Sequence, residues 1–224
     1  MAGPENGPSL LREEATWSCG ALLIGVDEVG RGPLAGPVVA AAVAFPPYGI
    51  PVRGVRDSKT LSPRQRADLA PRIRGAALAV GVAAASVREI ERFNIRRATA
   101  LAMRRAVARV ISQPGFRERA PQGGGTGYRV LLDGLPMPEC GFPHEAIVDG
   151  DALCYSIAAA GILAKEIRDH LMRRLALRYP SYGWQSNAGY GTAQHCEAIA
   201  LRGPTPHHRR SFGPVAQFTL SLPK

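Results

Sequence analysis

Four acidic side chains stand where chain elements begin or end: Asp27, Glu28, Asp133 and Asp151. Asp27 and Glu28 close the run Ala21-Leu22-Leu23-Ile24-Gly25-Val26, a buried-strand pattern that stops abruptly in charge. Asp133 closes a second such run, Tyr128-Arg129-Val130-Leu131-Leu132, and Asp151 stands where a helical pattern begins. Ligand sites of α/β sheets collect at strand ends. Carboxylates gathered there repel one another unless a cation neutralises them, and hard oxygen donors select Mg²⁺ or Mn²⁺. Two such ions about 4 Å apart activate water and stabilise a leaving oxygen in phosphodiester cleavage. Each acid also has a plainer reading. Asp151 fits an N-cap and Asp133-Gly134 an ordinary turn. Asp27 and Glu28 are adjacent, so they point to opposite faces unless the strand breaks into its turn at Glu28.

The 224 residues suffice for one well-buried core, one or two domains at roughly 150 residues each. With 46% hydrophobic and 21% charged residues the chain belongs to the globular class rather than the disordered one. No apolar run approaches the roughly 20 residues of a membrane span. Residues 1–18, with Pro4, Pro8, Glu13 and Glu14, lack the apolar core of a signal peptide, so a cytoplasmic location without membrane contact is expected. Cys19, Cys140, Cys154 and Cys196 are far apart with no CxxC pair, which excludes zinc-ribbon and dithiol-redox readings and leaves free thiols. Twenty-eight Lys and Arg against 18 Asp and Glu give a net charge of +10. Such an excess favours phosphate-bearing partners.

The elements that must position the acids read as follows. Residues 1–18 form a loose tail. A strand over Ala21–Val26 is followed, after Gly30-Arg31-Gly32-Pro33, by a second strand, Val38–Phe45, paired antiparallel with it. Ser62-Pro63-Arg64-Gln65 is a capping box that opens a helix to about Arg74, and Ser86-Val87-Arg88-Glu89 opens a short one. Leu78–Ala85 is a strand between them. Ile95, Thr99, Ala102, Ala106 and Val110 mark an amphipathic helix with Arg96, Arg97, Arg104, Arg105 and Arg109 on its outer side. The segment 122–127 is a glycine-rich loop, and Glu145–Val148 an edge strand. Helical pattern runs from Asp151 to about Tyr179, and another helix follows Tyr190-Gly191-Thr192 to about Leu201. This order predicts a layered α/β domain with a helical C-terminal extension, over residues 19–203, with a basic segment and tail at 204–224.

The segment Gly25-Val26-Asp27-Glu28-Val29-Gly30-Arg31-Gly32-Pro33-Leu34-Ala35-Gly36-Pro37-Val38-Val39 resembles the opening signature of ribonuclease HII, the type 2 bacterial ribonuclease H. Asp57-Ser58-Lys59, Asn94-Ile95 to Met103, Leu132-Asp133-Gly134 and Gly150-Asp151 continue the resemblance. So do Ser156–Ala160, Ala164-Lys165, Arg168-Asp169, Gly189-Tyr190-Gly191-Thr192 and His208–Phe212, all in family order from about Gly25 to Val215. Three departures stand out: Val29 for the usual alanine, Gly161 for a serine, and Ser186-Asn187-Ala188 for a basic turn before Gly189. None removes a proposed ligand.

The resemblance implies a ribonuclease H-like fold, a mixed five-stranded sheet flanked by helices with a helical C-terminal segment. It implies cleavage 5′ to a ribonucleotide in RNA–DNA hybrids or in duplex DNA with embedded ribonucleotides, leaving 3′-hydroxyl and 5′-phosphate ends. It places the family's metal-binding carboxylates on Asp27, Glu28, Asp133 and Asp151, holding two Mn²⁺ or Mg²⁺ ions. Asp149 is a rival for the fourth, and Asp169 a poorer one that better suits pairing with an arginine. It places ribose reading on Gly30-Arg31-Gly32, sugar stacking on Tyr190, and a phosphate contact on Lys59, with His207, His208 and Arg209 shaping the groove. Glycines there let backbone groups approach a 2′-hydroxyl. A monomer is expected. Gln217-Phe218-Thr219-Leu220-Ser221-Leu222 faintly resembles a sliding-clamp docking peptide, an edge strand or packing segment being its plainer reading.

Overall fold

The computed structural model describes residues 7–120 and 127–220. Five strands, β1 (Leu22–Val29), β2 (Val38–Ala44), β3 (Ala79–Ala85), β4 (Tyr128–Asp133) and β5 (Glu145–Ile147), form one sheet in the order β3-β2-β1-β4-β5. β1 pairs antiparallel with β2 and parallel with β4; β2 and β3 are antiparallel, β4 and β5 parallel. The mixed sheet expected from the sequence is therefore present, with the antiparallel β1–β2 hairpin included. β1 and β2 alternate between two buried faces, which explains why their runs are apolar throughout rather than alternating.

Helix α3 (Val87–Ile111) covers one face of the sheet; α2 (Pro63–Ala76) and α6 (Tyr155–Arg178) cover the other. Ser62 and Ser86 each complete a capping box, with Gln65 and Glu89, as their spacing predicts. The short helix and the amphipathic helix expected after Ser86 run together as α3, bent at Asn94 (φ 67°, ψ 167°), whose Oδ1 accepts from the Arg97 amide and caps the second half. The C-terminal extension consists of α7 (Trp184–Asn187), α8 (Ala193–Arg202) and α9 (Gly213–Leu220). It packs Trp184, Ile199 and Val215 against Met172 and Leu34, a separate apolar cluster beyond the sheet.

Several expectations are corrected. The tail over 1–18 is not loose where it is described: Leu11–Ser18 is a helix, α1, with Glu13, Thr16 and Trp17 buried, because Trp17 completes the core under α6. The pattern from Asp151 to Tyr179 is not one helix. A four-residue turn, α5 (Gly150–Leu153), ends at Cys154 in extended backbone, and α6 starts afresh. A short helix, α4 (Pro114–Arg119), also escaped the reading, its proline serving at a helix start. Of the two plainer readings of the C-terminal residues, the packing segment holds and the edge strand does not: they are helical to Leu220, and Phe218 packs on the C-terminal cluster. Residues 122–126 of the glycine-rich loop and Ser221 and Leu222 lie outside the described residues. No helix among the described residues is long and apolar enough to cross a membrane.

Candidate active site

Side-chain alternation places the acids. Asp27 pairs with Ala41, which belongs to the α6 side of the sheet, and Glu28 pairs with Ala40, which belongs to the α3 side. β1 does not break at Glu28 but runs on to Val29. Val26 and Leu132 are register partners in the parallel β1–β4 pair, so Asp27 and Asp133 follow as the next step on neighbouring strands. α5 then brings Asp151 to the same end, fastened by the Gly150 amide, which donates to Asp133 Oδ1 at 2.8 Å.

Three carboxylates thus converge. Asp27, Asp133 and Asp151 each offer an oxygen, and these oxygens lie within 4.8 Å of one another. The remaining predicted ligand, Glu28, lies outside that set: its Oε1 accepts from Arg31 Nη1 at 3.2 Å on the strand's other face. Asp149 is not part of the cluster; it is exposed, with left-handed backbone (φ 53°). Asp169 pairs with Arg66 and Lys165, the arginine-partner role its spacing suggests.

The electrostatics of the three are uncompensated. Burial first, then Glu28, Asp133 and Asp151, hold the Asp27 carboxyl well above the usual carboxylate range against the opposing Glu28 amide, which donates to Asp27 Oδ1 at 2.6 Å. Burial and the fields of Asp133 and Asp57 raise Asp151 against the pull of Lys59. Burial also raises Glu28, opposed by Arg31. Lys59 Nζ stands 3.6 Å from Asp151 Oδ2; its own desolvation pulls it down, but the acids around it leave it above its ordinary value. One lysine against this many carboxylates does not neutralise them. A cluster of hard oxygen donors, two of the three acids buried and all short of counter-charge, fits a divalent cation of the Mg²⁺ or Mn²⁺ type.

Beside the acids lies the turn after β1. Gly30 has φ 99°, and a side chain there would collide with Arg168. Arg168 and Arg209, both fully buried, hold this loop by its carbonyls. Arg168 donates to Ala35, Pro37 and Ala188, and Arg209 to Gly30, Arg31 and Gly36, at 2.6–3.1 Å. Burial, reinforced by Arg168, pushes Arg209 down to about 9, so it stays charged at neutral pH. Neither arginine was singled out as a holder of the turn. Their partners are main-chain carbonyls remote in sequence, which no side-chain pattern announces.

Tyr190 reaches the same place from the C-terminal extension. A Cβ on Gly32 would lie 3.8 Å from Tyr190 Cε1, and Tyr190 is 47% exposed. The Leu34 amide donates to Gly189 at 2.8 Å, tying the turn to the tyrosine's own loop. Lys59 thus stands beside Asp151, Arg31 beside Glu28, and Tyr190 beside Gly32 of the turn. His208 is part of the packing rather than a groove wall: it is 1% exposed and bonded to His195 and Thr205.

A family model described as ribonuclease HII matches residues 24–215. A ribonuclease HII of Synechococcus sp. (strain JA-3-3Ab) is 51% identical over 211 residues, 93% of this chain and 89% of the relative. Among solved structures, Bst-RNase HIII in complex with Mn²⁺ superposes with a TM-score of 0.68 at 20% identity, over 90% of this chain and 70% of that one. The RNase HII of a PCNA:RNase HII complex from Archaeoglobus fulgidus gives a TM-score of 0.65 at 24% identity, over 88% and 96%.

Proposed function

The chain belongs to the ribonuclease HII family, and from that premise we propose a divalent-metal-dependent endonuclease that cuts 5′ to ribonucleotides. Its substrates are RNA–DNA hybrids and duplex DNA with embedded ribonucleotides, and its products carry 3′-hydroxyl and 5′-phosphate ends. The observation that carries the reading is the convergence of Asp27, Asp133 and Asp151 within 4.8 Å at the end of the strand that leads into the glycine-flanked turn Gly30-Arg31-Gly32.

In this reading Asp27, Asp133 and Asp151 are the metal ligands, with Glu28 as the fourth carboxylate at their flank. Mn²⁺ or Mg²⁺ held there supplies Lewis-acid stabilisation of the charge that develops on the phosphoryl and leaving oxygens, and activates water. The protein's own share is positioning. Asp133 fixes α5 through the Gly150 amide, so Asp151 arrives at a defined place. Gly30-Arg31-Gly32 presents main-chain groups to the ribose, where a 2′-hydroxyl is told from hydrogen by direct contact. Arg31 and Lys59 offer cations to the phosphates on either side, and each is already oriented by an acid of the site. The Tyr190 ring lies against the neighbouring deoxyribose and rejects a second hydroxyl by shape.

The deciding experiment uses labelled duplexes of one sequence: all DNA, one embedded ribonucleotide, and full hybrid. Cleavage of the last two in Mg²⁺ or Mn²⁺, 5′ to the ribonucleotide and abolished by chelator, is the expected result. Cleavage of the all-DNA duplex, or cleavage that survives chelator, overturns the reading. A clamp contact through Gln217–Leu222 is a separate proposal. It requires Phe218 to leave the C-terminal cluster it packs on, and a clamp pull-down against the chain truncated after Ala216 tests it.

A further inference from the structure

Helix α6 carries the wall behind Asp27, yet its own N-cap residue makes no capping bond. Cys154 stands at that position with extended backbone and gives no side-chain oxygen to the first turn. The partners come instead from the other end of the chain. The Ser156 amide donates to Glu13 Oε1 at 2.7 Å, and the Cys154 thiol donates to the same oxygen at 3.2 Å. The Tyr155 amide donates to the Ser9 carbonyl at 3.1 Å, and Ser9 and Cys154 form a parallel bridge. Glu13 is completely buried. The preceding residue, Arg12, reaches β5 through Glu145 at 2.7 Å. The segment Ser9–Glu13 therefore grips β5, the end of α5 and the start of α6.

Between those grips sits Asp151. It belongs to the four-residue α5, too short to hold its own orientation. α5 is anchored on one side by Asp133 through Gly150 and on the other at Cys154, the residue Glu13 and Ser9 hold. A carboxylate at a helix N-terminus is favoured by the helix dipole as well as by the amide it accepts from. We propose that Glu13 is a positioning residue for the metal site: by capping α6 from α1 it fixes the α5–α6 junction and hence the place of Asp151. This rests on Asp151 being a ligand. It also assigns a role in the site to a helix that precedes the family-matched residues 24–215.

The test measures Mn²⁺ affinity by calorimetry, together with kcat and KM on an RNA–DNA hybrid, for Glu13→Ala, Glu13→Gln, Arg12→Ala and Asp151→Asn in the full chain. Loss of an outer support of this kind typically weakens metal binding by about 10- to 100-fold. Glu13→Ala is expected to lose Mn²⁺ affinity and kcat in that range while KM for the hybrid changes little. Glu13→Gln keeps an acceptor for the Ser156 amide and should restore most of both. Arg12→Ala loosens only the β5 grip, at the surface, and should show a smaller loss in the same direction. If Glu13→Ala does not fold, the order wild type, Glu13→Gln and Arg12→Ala decides, and Mn²⁺ affinities unchanged across that series overturn the proposal. Glu13→Ala with lowered thermal stability but unchanged Mn²⁺ affinity and kcat overturns it too. Asp151→Asn separates the two levels: if it keeps full Mn²⁺ affinity, the site reading fails; if it loses affinity while the Glu13 variants do not, only the role of Glu13 fails.

Discussion

Gly161 of α6 and Asp27 of β1 occupy space that only one of them could hold if residue 161 had a side chain. A Cβ there would collide with Asp27 Oδ2, so the carboxylate lies directly against the helix backbone. Alanine at an interior helical position is ordinarily worth about 1 kcal/mol over glycine. Gly161→Ala therefore sets a helix gain against a displaced Asp27 carboxylate. Misplacing a catalytic group by about 1 Å costs roughly 10²-fold in rate. The expected outcome is an unchanged or raised melting temperature with cleavage reduced by about two orders of magnitude, read by hybrid cleavage and thermal unfolding on the same samples. Wild-type cleavage in this variant would show that Asp27 moves freely away from the helix.

Asp133→Asn removes one of three mutually repelling charges and keeps the Oδ1 acceptor for the Gly150 amide. Without metal the variant should be more stable, by about 1 kcal/mol, or some 2–4 °C in melting temperature for a chain of this size. Cleavage should be abolished, and the stabilisation that Mn²⁺ gives the wild type should largely vanish, since ligand binding stabilises only what binds it. Hybrid binding, which rests on cations such as Arg31 and Lys59, should survive. Full cleavage by Asp133→Asn in Mn²⁺ would remove this residue from the site.

What was legible beforehand has a common cause. Strand ends, capping boxes and the β1–β2 hairpin are written in residues close in sequence: Ser62 with Gln65, Ser86 with Glu89, an apolar run cut off at Asp27. The period-two rule for strands also stated the difficulty with Glu28, and the structure keeps that rule, leaving Glu28 with Arg31 rather than in the triad. The illegible parts are contacts between a side chain and a distant main chain. Glu13 meets Ser156 across 143 positions, and Arg209 meets Gly30 across 179. Nothing in residue type marks which backbone amide or carbonyl lies there. The break at Cys154 was hidden for another reason: the pattern on both sides of it is helical, and only the extended backbone at one residue separates α5 from α6.

Arg209 holds the turn Gly30-Arg31-Gly32 with Nε and both Nη nitrogens, a planar fork that lysine cannot copy. Arg209→Lys leaves the carbonyls of Gly30, Arg31 and Gly36 short of donors, at least one of them buried. Hydrogen bonds to a charged group are worth about 1.5–3 kcal/mol each, so a loss of roughly 3 kcal/mol in stability is expected from urea unfolding. The turn is also the proposed 2′-hydroxyl reader. The ratio of cleavage at a single embedded ribonucleotide to binding of all-DNA duplex should therefore fall more than hybrid affinity does. A variant that loses stability but keeps that ratio would confine Arg209 to packing.

His195 and His208 link Tyr190 to the C-terminal cluster in a network complete only when both rings are neutral. His208 Nδ1 accepts from the Thr205 amide at 2.8 Å, and His195 Nε2 accepts from Trp184 Nε1 at 3.0 Å. Their Nε2 atoms are 3.1 Å apart, which one proton bridges, and His195 Nδ1 donates to the Tyr190 carbonyl at 2.8 Å. A further proton on His195 Nε2 would face the Trp184 N–H, and one on His208 Nδ1 would face the Thr205 amide, with the Thr205 hydroxyl at 3.0 Å beside it. Burial first, and then His195, push His208 down to about 3; burial likewise lowers His195. Both folded values lie below the unfolded value near 6.5, so the unfolded chain binds more protons as pH falls. The network's contribution is thus fully present above pH 6.5 and is lost as pH falls below it, for His208 down to about 3. The raised acids of the metal site act in the opposite sense, so the comparison must be internal: wild type against His208→Gln, metal-free, between pH 7 and 4.5. Wild type should lose the larger share of stability over that range. Imidazole NMR signals of His208 that titrate near 6.5 in the folded protein would contradict the neutral network outright.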